Sequence, residues 1–412
     1  MVASEVRERA GDRAVTVLVA LLGLAVLLNY IDRGAIGVAA PLMKADLHLT
    51  ATQFGVAVSA FFLIYGPAQP LVGWLADRVS VYHLFALGVA VWAASTLLTG
   101  FVGGLLGLAV LRMLLGLGES CAFSGSSKMI ARHVPTGRRG LANAVLATGL
   151  ALGPAVGTLA GSAILSGWGW RAIFIVFGAC TLLWLGPWFW AVRALPQHRD
   201  AEAVSPPMPY RQLLSQRALW LLGLCNAAAN YCMFFVVVWL PLYLTASRGF
   251  SISTMSVFAT ATFAMQALSS LCAGQVSDHL IRRGHDQGTV LRRFAVGGQI
   301  GMTIGVLGVA YAASPAAVLG WLLLTGAAMG IGPTMVLALG QVFAGPRLAG
   351  SWIGWQTGIA SISGMVGPIV TGMIVDATGS YVGAFVFAAG MSAVGALLFQ
   401  FALPPVRQIE GA

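Results

Sequence analysis

Two short segments place ionisable side chains inside otherwise apolar sequence. LLNYIDRGAIG carries Asp32 and Arg33, and LRMLLGLGES carries Arg112 and Glu119. A charged group in a bilayer interior costs at least about 2.5–3.5 kcal/mol, so four of them in two segments point to a proton or anion pathway. Arg112 and Glu119 are separated by about 700° of helical rotation and share one face. Asp32 lies about 14 Å below the outer end of its apolar run, at about 1.5 Å per residue, and Arg112 about as deep in its own. Asp32 and Arg112 can therefore meet at one depth. Arg33, turned about 100° from Asp32, is left to face a cavity, and Glu119 lies roughly 10 Å deeper than Arg112. Burial and a neighbouring cation pull the proton affinity of a carboxylate in opposite directions, so Glu119 can load and release a proton as its surroundings change. The alternative is a static cluster in which all four charges neutralise one another and tie the two helices together.

The elements that must position these groups are membrane helices. Apolar residues make up 58% of 412 and charged residues only 9%, against roughly 45–50% and 25% in soluble domains. Apolar runs of spanning length recur near 15–40, 52–76, 83–101, 103–133, 140–164, 168–192, 217–245, 253–277, 291–313, 315–344, 350–375 and 379–403. The expected fold is all-α, with twelve transmembrane helices. Of the 23 Lys and Arg residues, Arg33, Arg112 and Lys128 lie within spans and Lys44, Arg171 and Arg248 fall on one side; all the others fall on the opposite side. The positive-inside rule makes that richer side cytoplasmic, with both termini on it. The net charge of +10 is then a topology signal, not a nucleic-acid footprint. The first apolar run is too long for a signal peptide and reads as a retained span. Cys121, Cys180, Cys225, Cys232 and Cys272 lie in apolar stretches without metal-ligand spacing and read as small core residues.

The stretch RALPQHRDAEAVSPPMPYRQLLSQR is rich in proline and charge and reads as a linker. It divides the chain into a cytoplasmic N-terminus (1–14), a six-helix half (15–195), a cytoplasmic linker (196–216), a second six-helix half (217–403) and a cytoplasmic tail (404–412). The halves echo each other. Asn29-Tyr30 recurs as Asn230-Tyr231, and Gly73-x-x-x-Asp77 as Gly274-x-x-x-Asp278, both at an offset of 201. Gly153-Pro154 is matched by Gly367-Pro368. These pairs read as bends and tight helix contacts. Parallel six-helix repeats with a site between them are the architecture of major facilitator transporters.

GWLADRVSVYH resembles the cytoplasmic signature loop of the major facilitator superfamily, with Ser80 in place of its second Gly and no basic residue after Arg78. The second copy, GQVSDHLIRRG, keeps Asp278, Arg282 and Arg283. The resemblance implies a conformational clasp built from Asp77, Arg78, Asp278 and Arg282, weakened in the first copy or leaning on His83. Within that superfamily, NYIDR, AFFLIYGPAQPLVGWLADR, RMLLGLGES, GRRGLANAVLATGLALGPAVG, GWRAIF, WIGWQTGIASISGMVGP and DATGSY are similar to the anion:cation symporters of sugar acids and other organic anions, the relatives of sialin and the vesicular glutamate transporters. The likeness covers nearly the whole chain.

That resemblance implies roles. Arg33 would hold the substrate carboxylate, which suits a two-pronged guanidinium. Asp32 and Arg112 would form a coupled pair, and Glu119 would be the principal proton site. Tyr30 and Tyr65 match tyrosines that line the family's site, with plain packing as the alternative. Gln356 and Thr357 stand where the family often has Gln-Asn, Thr357 being the shorter polar arm. Asn230, with Asn226 and Tyr231, would line the opposite wall, interhelical hydrogen bonding being the alternative. Trp352 or Trp355 would meet the rest of the substrate. Lys128 reads as snorkelling towards the cytoplasm, His83 and His133 as solvated, and Asp376 as lying at an outer helix end.

The function expected is proton-coupled uptake of a small organic anion by alternating access across a bacterial inner membrane, by a monomer with the proton as coupling ion and no cofactor. The competing reading is a lipid or drug exporter of the same fold working by proton antiport. An enzyme is disfavoured, because GESCA lies mid-helix without a buried His partner. A receptor or scaffold is disfavoured by the short loops.

Overall fold

The structure, a computed structural model, describes residues 2–76, 78–134, 139–194 and 213–407. Side chains are described at 13–69, 71, 72, 75, 78–130, 132–134, 142–193, 213–332, 334–344 and 352–407. Among the described residues the secondary structure is helical throughout, with no strand. The helices are α1 (Val2–Asp46), α2 (Ala51–Ala76), α3 (Val81–Thr99), α4 (Leu105–Glu119), α5 (Cys121–His133), α6 (Arg139–Ala194), α7 (Arg217–Leu242), α8 (Ile252–Arg282), α9 (Gln287–Tyr311), α10 (Pro315–Thr378) and α11 (Val382–Leu397). Short π turns continue α7 and α11, over Tyr243–Ser247 and Leu398–Ala402.

Eleven helices among the described residues are long and apolar enough to cross a bilayer, one fewer than the sequence reading counts. The difference lies in α6. Its 56 residues would run roughly 80 Å if straight, against about 30 Å of hydrocarbon. Gly169, at φ 79° and ψ 175°, breaks it into two arms. A side chain rarely adopts that φ, and Gly169 makes it possible for the arms to fold back without a loop. The 64-residue α10 likewise contains two apolar stretches, Pro315–Ala344 and Trp352–Thr378. Helix α4 runs on into α5 through Ser120, whose φ and ψ stay helical. Large apolar side chains such as Leu87, Leu106, Trp190 and Phe401 are exposed on the outside of the bundle, as a lipid-facing surface requires.

The buried core is continuous at one end of the bundle and divided at the other. At the end opposite the chain termini, called here the far end, a single cluster joins Leu47, Phe54 and Phe174 to Trp239, Phe263 and Tyr381. Towards the terminus end it gives way to two separate clusters, one around Leu22, Phe85 and Trp188 and the other around Leu219, Phe343 and Phe399. The far end is drawn together by small residues. A Cβ on Gly55 would overlap the Pro368 carbonyl, one on Gly37 the Val237 carbonyl, and one on Gly372 would come within 2.5 Å of the Ala51 carbonyl. Asp376, at the end of α10, caps α2 by accepting from the amides of Ala51 at 3.0 Å and Thr52 at 2.7 Å. The same end carries Asp46, which accepts from Trp170 Nε1 at 3.2 Å and from Arg171.

Two expectations about individual residues change, those for the cysteines and for His133. Cys180 and Cys272 are exposed on the outside of the bundle, and only Cys121, Cys225 and Cys232 are core residues. His133 is buried against the Tyr82 hydroxyl instead of being solvated. Of the clasp, Asp77 lies outside the described residues. Arg78, Asp278 and Arg282 are exposed, and among the described residues no ion pair joins Asp278 to Arg282. His83 turns to the Ser80 hydroxyl at 3.0 Å.

Candidate functional site

The site lies where α1 faces α2, α3 and α4, with α2 and α3 packed closely on α4. Glycine carries that packing. A Cβ on Gly116 of α4 would overlap the Phe61 carbonyl of α2, and one on Gly118 would come 2.6 Å from the Gly88 carbonyl and the Trp92 amide of α3. On the other side of α1, Gly153 and Gly157 of α6 lie against Tyr30 and Ile31. Helices held this close leave their polar side chains no solvent to turn to, and they must satisfy one another.

Arg33 and Glu119 form the central pair. Arg33 Nε and Nη2 both donate to Glu119 Oε2, at 3.1 and 2.9 Å. The glutamate side chain is fully buried, and the arginine side chain retains 15% exposure. Glu119 Oε1 has no hydrogen-bond partner among the described residues. Neither has the amide of Asn29, buried one turn before Arg33 on the same face of α1. Three rings surround the guanidinium, with centroids 4.8 Å (Tyr30), 5.2 Å (Phe61) and 5.1 Å (Tyr65) from Cζ. Cation–π attraction is strongest where water is excluded, so the cage holds Arg33 in place while leaving one side of it accessible.

Asp32 turns the other way. It is 2% exposed and accepts from Trp92 Nε1 and from Thr96 Oγ1 at 3.2 Å, both on α3. Arg112 is buried too, with its guanidinium 5.9 Å from the Phe174 ring centroid. Among the described residues its Nε has no hydrogen-bond partner and no ion pair links it to Asp32. Arg33 thus meets Glu119 directly, while Asp32 takes its hydrogen bonds from neutral donors. Equal depth along two helices does not fix the azimuth of either one, and α3 takes up the face of α1 that Asp32 presents. Arg33 is not left unpaired before the cavity, because an arginine side chain is long enough to span the difference in level to Glu119. Of the four charges, Arg33 and Glu119 are the two joined by an ion pair among the described residues.

The remaining candidates divide by exposure. Tyr30, Asn230 and Thr357 are half-buried, and Tyr65 is buried within the Arg33 cage. Gln356 is wholly buried, its Nε2 donating to the Val336 carbonyl at 3.3 Å, so it packs within α10 and does not face Arg33. Tyr231 is buried with its hydroxyl 3.0 Å from that of Thr371. Trp352 is buried against Phe343, Trp355 and Lys128 are half-buried, and Asn226 is buried. Reading the sequence alone overlooks Phe61, Trp92 and Thr96. The available signal was spacing: Trp92 and Thr96 are one helical turn apart in an apolar span, and Phe61 is one turn before Tyr65.

The profile of the Major Facilitator Superfamily matches residues 22–357. A probable sulfoacetate transporter of Cupriavidus necator is 28% identical over 408 residues, covering 92% of this chain and 91% of the relative. The hexuronate transporter of Bacillus subtilis is 28% identical over 412 residues, covering 96% of each. A probable galactarate/D-glucarate transporter of Escherichia coli is 25% identical, covering 99% of this chain and 97% of the relative. The inward-facing, occupied structure of a bacterial homolog of the human lysosomal transporter Spinster superposes with a TM-score of 0.82 at 18% identity, covering 95% of this chain and 96% of that one, and so shares the fold. The chain is a multi-pass membrane protein that belongs to the Major Facilitator Superfamily, a transporter and not an enzyme, whose relatives carry the names of organic-anion transporters.

Proposed function

We propose that this protein is a proton-coupled symporter of a small organic anion, working by alternating access in a bacterial inner membrane. Counted on either side of Gly169, its helices number twelve, in two halves joined by the 196–216 linker. The excess of Lys and Arg on the terminus side makes that side cytoplasmic. With the far end sealed and the core divided towards the termini, the site opens inward.

The observation that carries the reading is the Arg33–Glu119 pair. Without substrate, Glu119 neutralises Arg33 and occupies its donors. An arriving carboxylate needs the same guanidinium prongs. Once it takes them, Glu119 becomes a fully buried carboxylate without its cation, which is strongly unfavourable. Protonating Glu119 removes that charge and frees Arg33, so proton and anion each make the other's binding more favourable, and the coupling is reciprocal. The loaded site is then close to neutral overall and can pass through the bilayer interior as the halves rock about it. Asp32, held by Trp92 and Thr96 away from the substrate side, serves as a second proton acceptor, and Arg112 is the buried cation nearest in role to it. The relatives named for sulfoacetate, hexuronate and galactarate or glucarate support an acidic substrate.

The test is uptake into proteoliposomes of a panel of organic acids under an inward proton gradient. Acid-driven uptake should be lost in Arg33→Ala. Glu119→Gln should lose gradient-driven accumulation while keeping counterflow exchange. Uptake indifferent to both substitutions would falsify the reading.

A further inference from the structure

The space beside Arg33 is walled by aromatic and apolar side chains from both halves. On the N-terminal side, Tyr30, Phe61 and Tyr65 surround the guanidinium, and Phe62 packs edge-on to Phe61 at 4.8 Å. From the C-terminal side, Phe234 and Met365 are the side chains that reach across to this cluster. The Phe234 ring lies 4.5 Å from that of Phe62. A Cβ on Gly364 would come 2.5 Å from the Phe62 ring, so α10 is fitted closely to that ring. The gap beyond Phe234 towards the far end, bounded by Phe235, Trp239 and Pro368, is too small to hold water.

Three polar groups of the C-terminal half are engaged within that half. Gln356 bonds the Val336 carbonyl of the preceding span, Tyr231 bonds Thr371, and the Ser361 hydroxyl bonds the Thr357 carbonyl at 3.0 Å. Asn230 and Thr357 are the half-buried polar candidates on that wall. A hydroxyl that loses water without gaining a partner weakens binding. A polyhydroxylated acid would leave several such groups against rings, whereas a flat apolar body stacks on them.

Resting on the symporter reading above, we infer that the substrate is an organic monoanion whose body is aromatic or otherwise apolar, with its carboxylate on Arg33 and its body against the wall formed by Phe62, Phe234 and Met365, and not a polyhydroxy sugar acid. Phe234 is then a residue that determines specificity.

Binding of phenylacetate, glucuronate and sulfoacetate to the purified full chain, followed by calorimetry, tests this. Phenylacetate and glucuronate each carry one carboxylate and differ in body; sulfoacetate is compact. Phenylacetate should bind at least tenfold more tightly than either of the others, a discrimination of the size one apolar contact region provides. Phe234→Asn, and separately Phe62→Ser, should narrow the phenylacetate-to-glucuronate ratio, with thermal melts used to check that each variant is folded. Arg33→Ala should abolish binding of all three. Glucuronate or sulfoacetate binding as tightly as phenylacetate in an Arg33-dependent way overturns the substrate class and leaves the symporter reading intact, as does a ratio unchanged in both folded phenylalanine variants. Absence of Arg33-dependent binding by all three probes overturns both.

Discussion

Arg33 and Glu119 are joined through a single carboxylate oxygen, Oε2, which takes both guanidinium donors while Oε1 is buried with no hydrogen-bond partner among the described residues. The pair is therefore singly anchored on the glutamate side and doubly anchored on the arginine side. A substrate carboxylate with two free oxygens can make the fuller two-pronged contact. Arg33→Lys keeps the charge but has no fork and a more strongly hydrated head. Its anion affinity should fall by about 1.5–3 kcal/mol, the magnitude of a hydrogen bond to a charged group. Calorimetric titration measures the loss, and wild-type affinity in the lysine variant would rule out two-pronged capture.

Asp32 depends on α3. Trp92→Phe leaves the buried carboxylate with the Thr96 donor alone. Leaving a buried acceptor short of a donor costs about 1–3 kcal/mol, which should appear as a lower melting temperature. Asp32→Asn in the same background should recover part of that loss, because the charge that needed the donor is gone. A melt unchanged by Trp92→Phe would mean that the indole does not support Asp32.

The far end is closed by fit and by capping. Asp376→Ala removes the acceptor for the Ala51 and Thr52 amides at the start of α2. The closed arrangement should lose about 0.5–2 kcal/mol, the range for a helix cap, and the first turn of α2 should exchange its amide hydrogens faster. Gly55→Val is more drastic, since even its Cβ would overlap the Pro368 carbonyl. That variant should be unable to close the far end and should lose counterflow exchange, while a double-cysteine crosslink between the two terminus-side clusters should form more readily. Exchange at the wild-type rate in Gly55→Val would show that transport does not need this closure.

At the other end, Asp286 caps α9 by accepting from the Thr289 amide at 2.7 Å. That hydrogen bonding holds its carboxyl below the ordinary value of 3.8. A carboxylate with a lowered value when folded stabilises above its unfolded value and loses that contribution as the pH falls through the folded one. The melting difference between wild type and Asp286→Ala should be constant at neutral pH and close as the pH drops below about 4. A difference that persists in acid would assign the effect to packing instead.

How much of the site is legible in the sequence depends on the kind of relationship involved. That Arg112 and Glu119 lie on one face of a helix, that Asp32 and Arg33 point in directions about 100° apart, and that all four are buried in a membrane follow from periodicity and composition alone. Their partners do not, because partnership depends on which neighbouring helix covers each face. The same limit applies to Gln356, whose residue type suits a hydroxylated substrate but whose orientation turns it into the packing of α10. Phe61, Trp92 and Phe234 carry no polar signature in an apolar span, and contact alone marks them as part of the site.

By itself, then, the sequence determined a polytopic helical membrane protein, the side on which its basic residues gather and the four charges on which its chemistry turns, because hydrophobic length, charge asymmetry and helical period are properties of the linear chain. Only the tertiary structure decided that Arg33 binds Glu119, that Asp32 is held by Trp92 and Thr96, and that the far end is sealed. Each of those depends on the rotation of one helix against another, set by where glycine allows two backbones to touch.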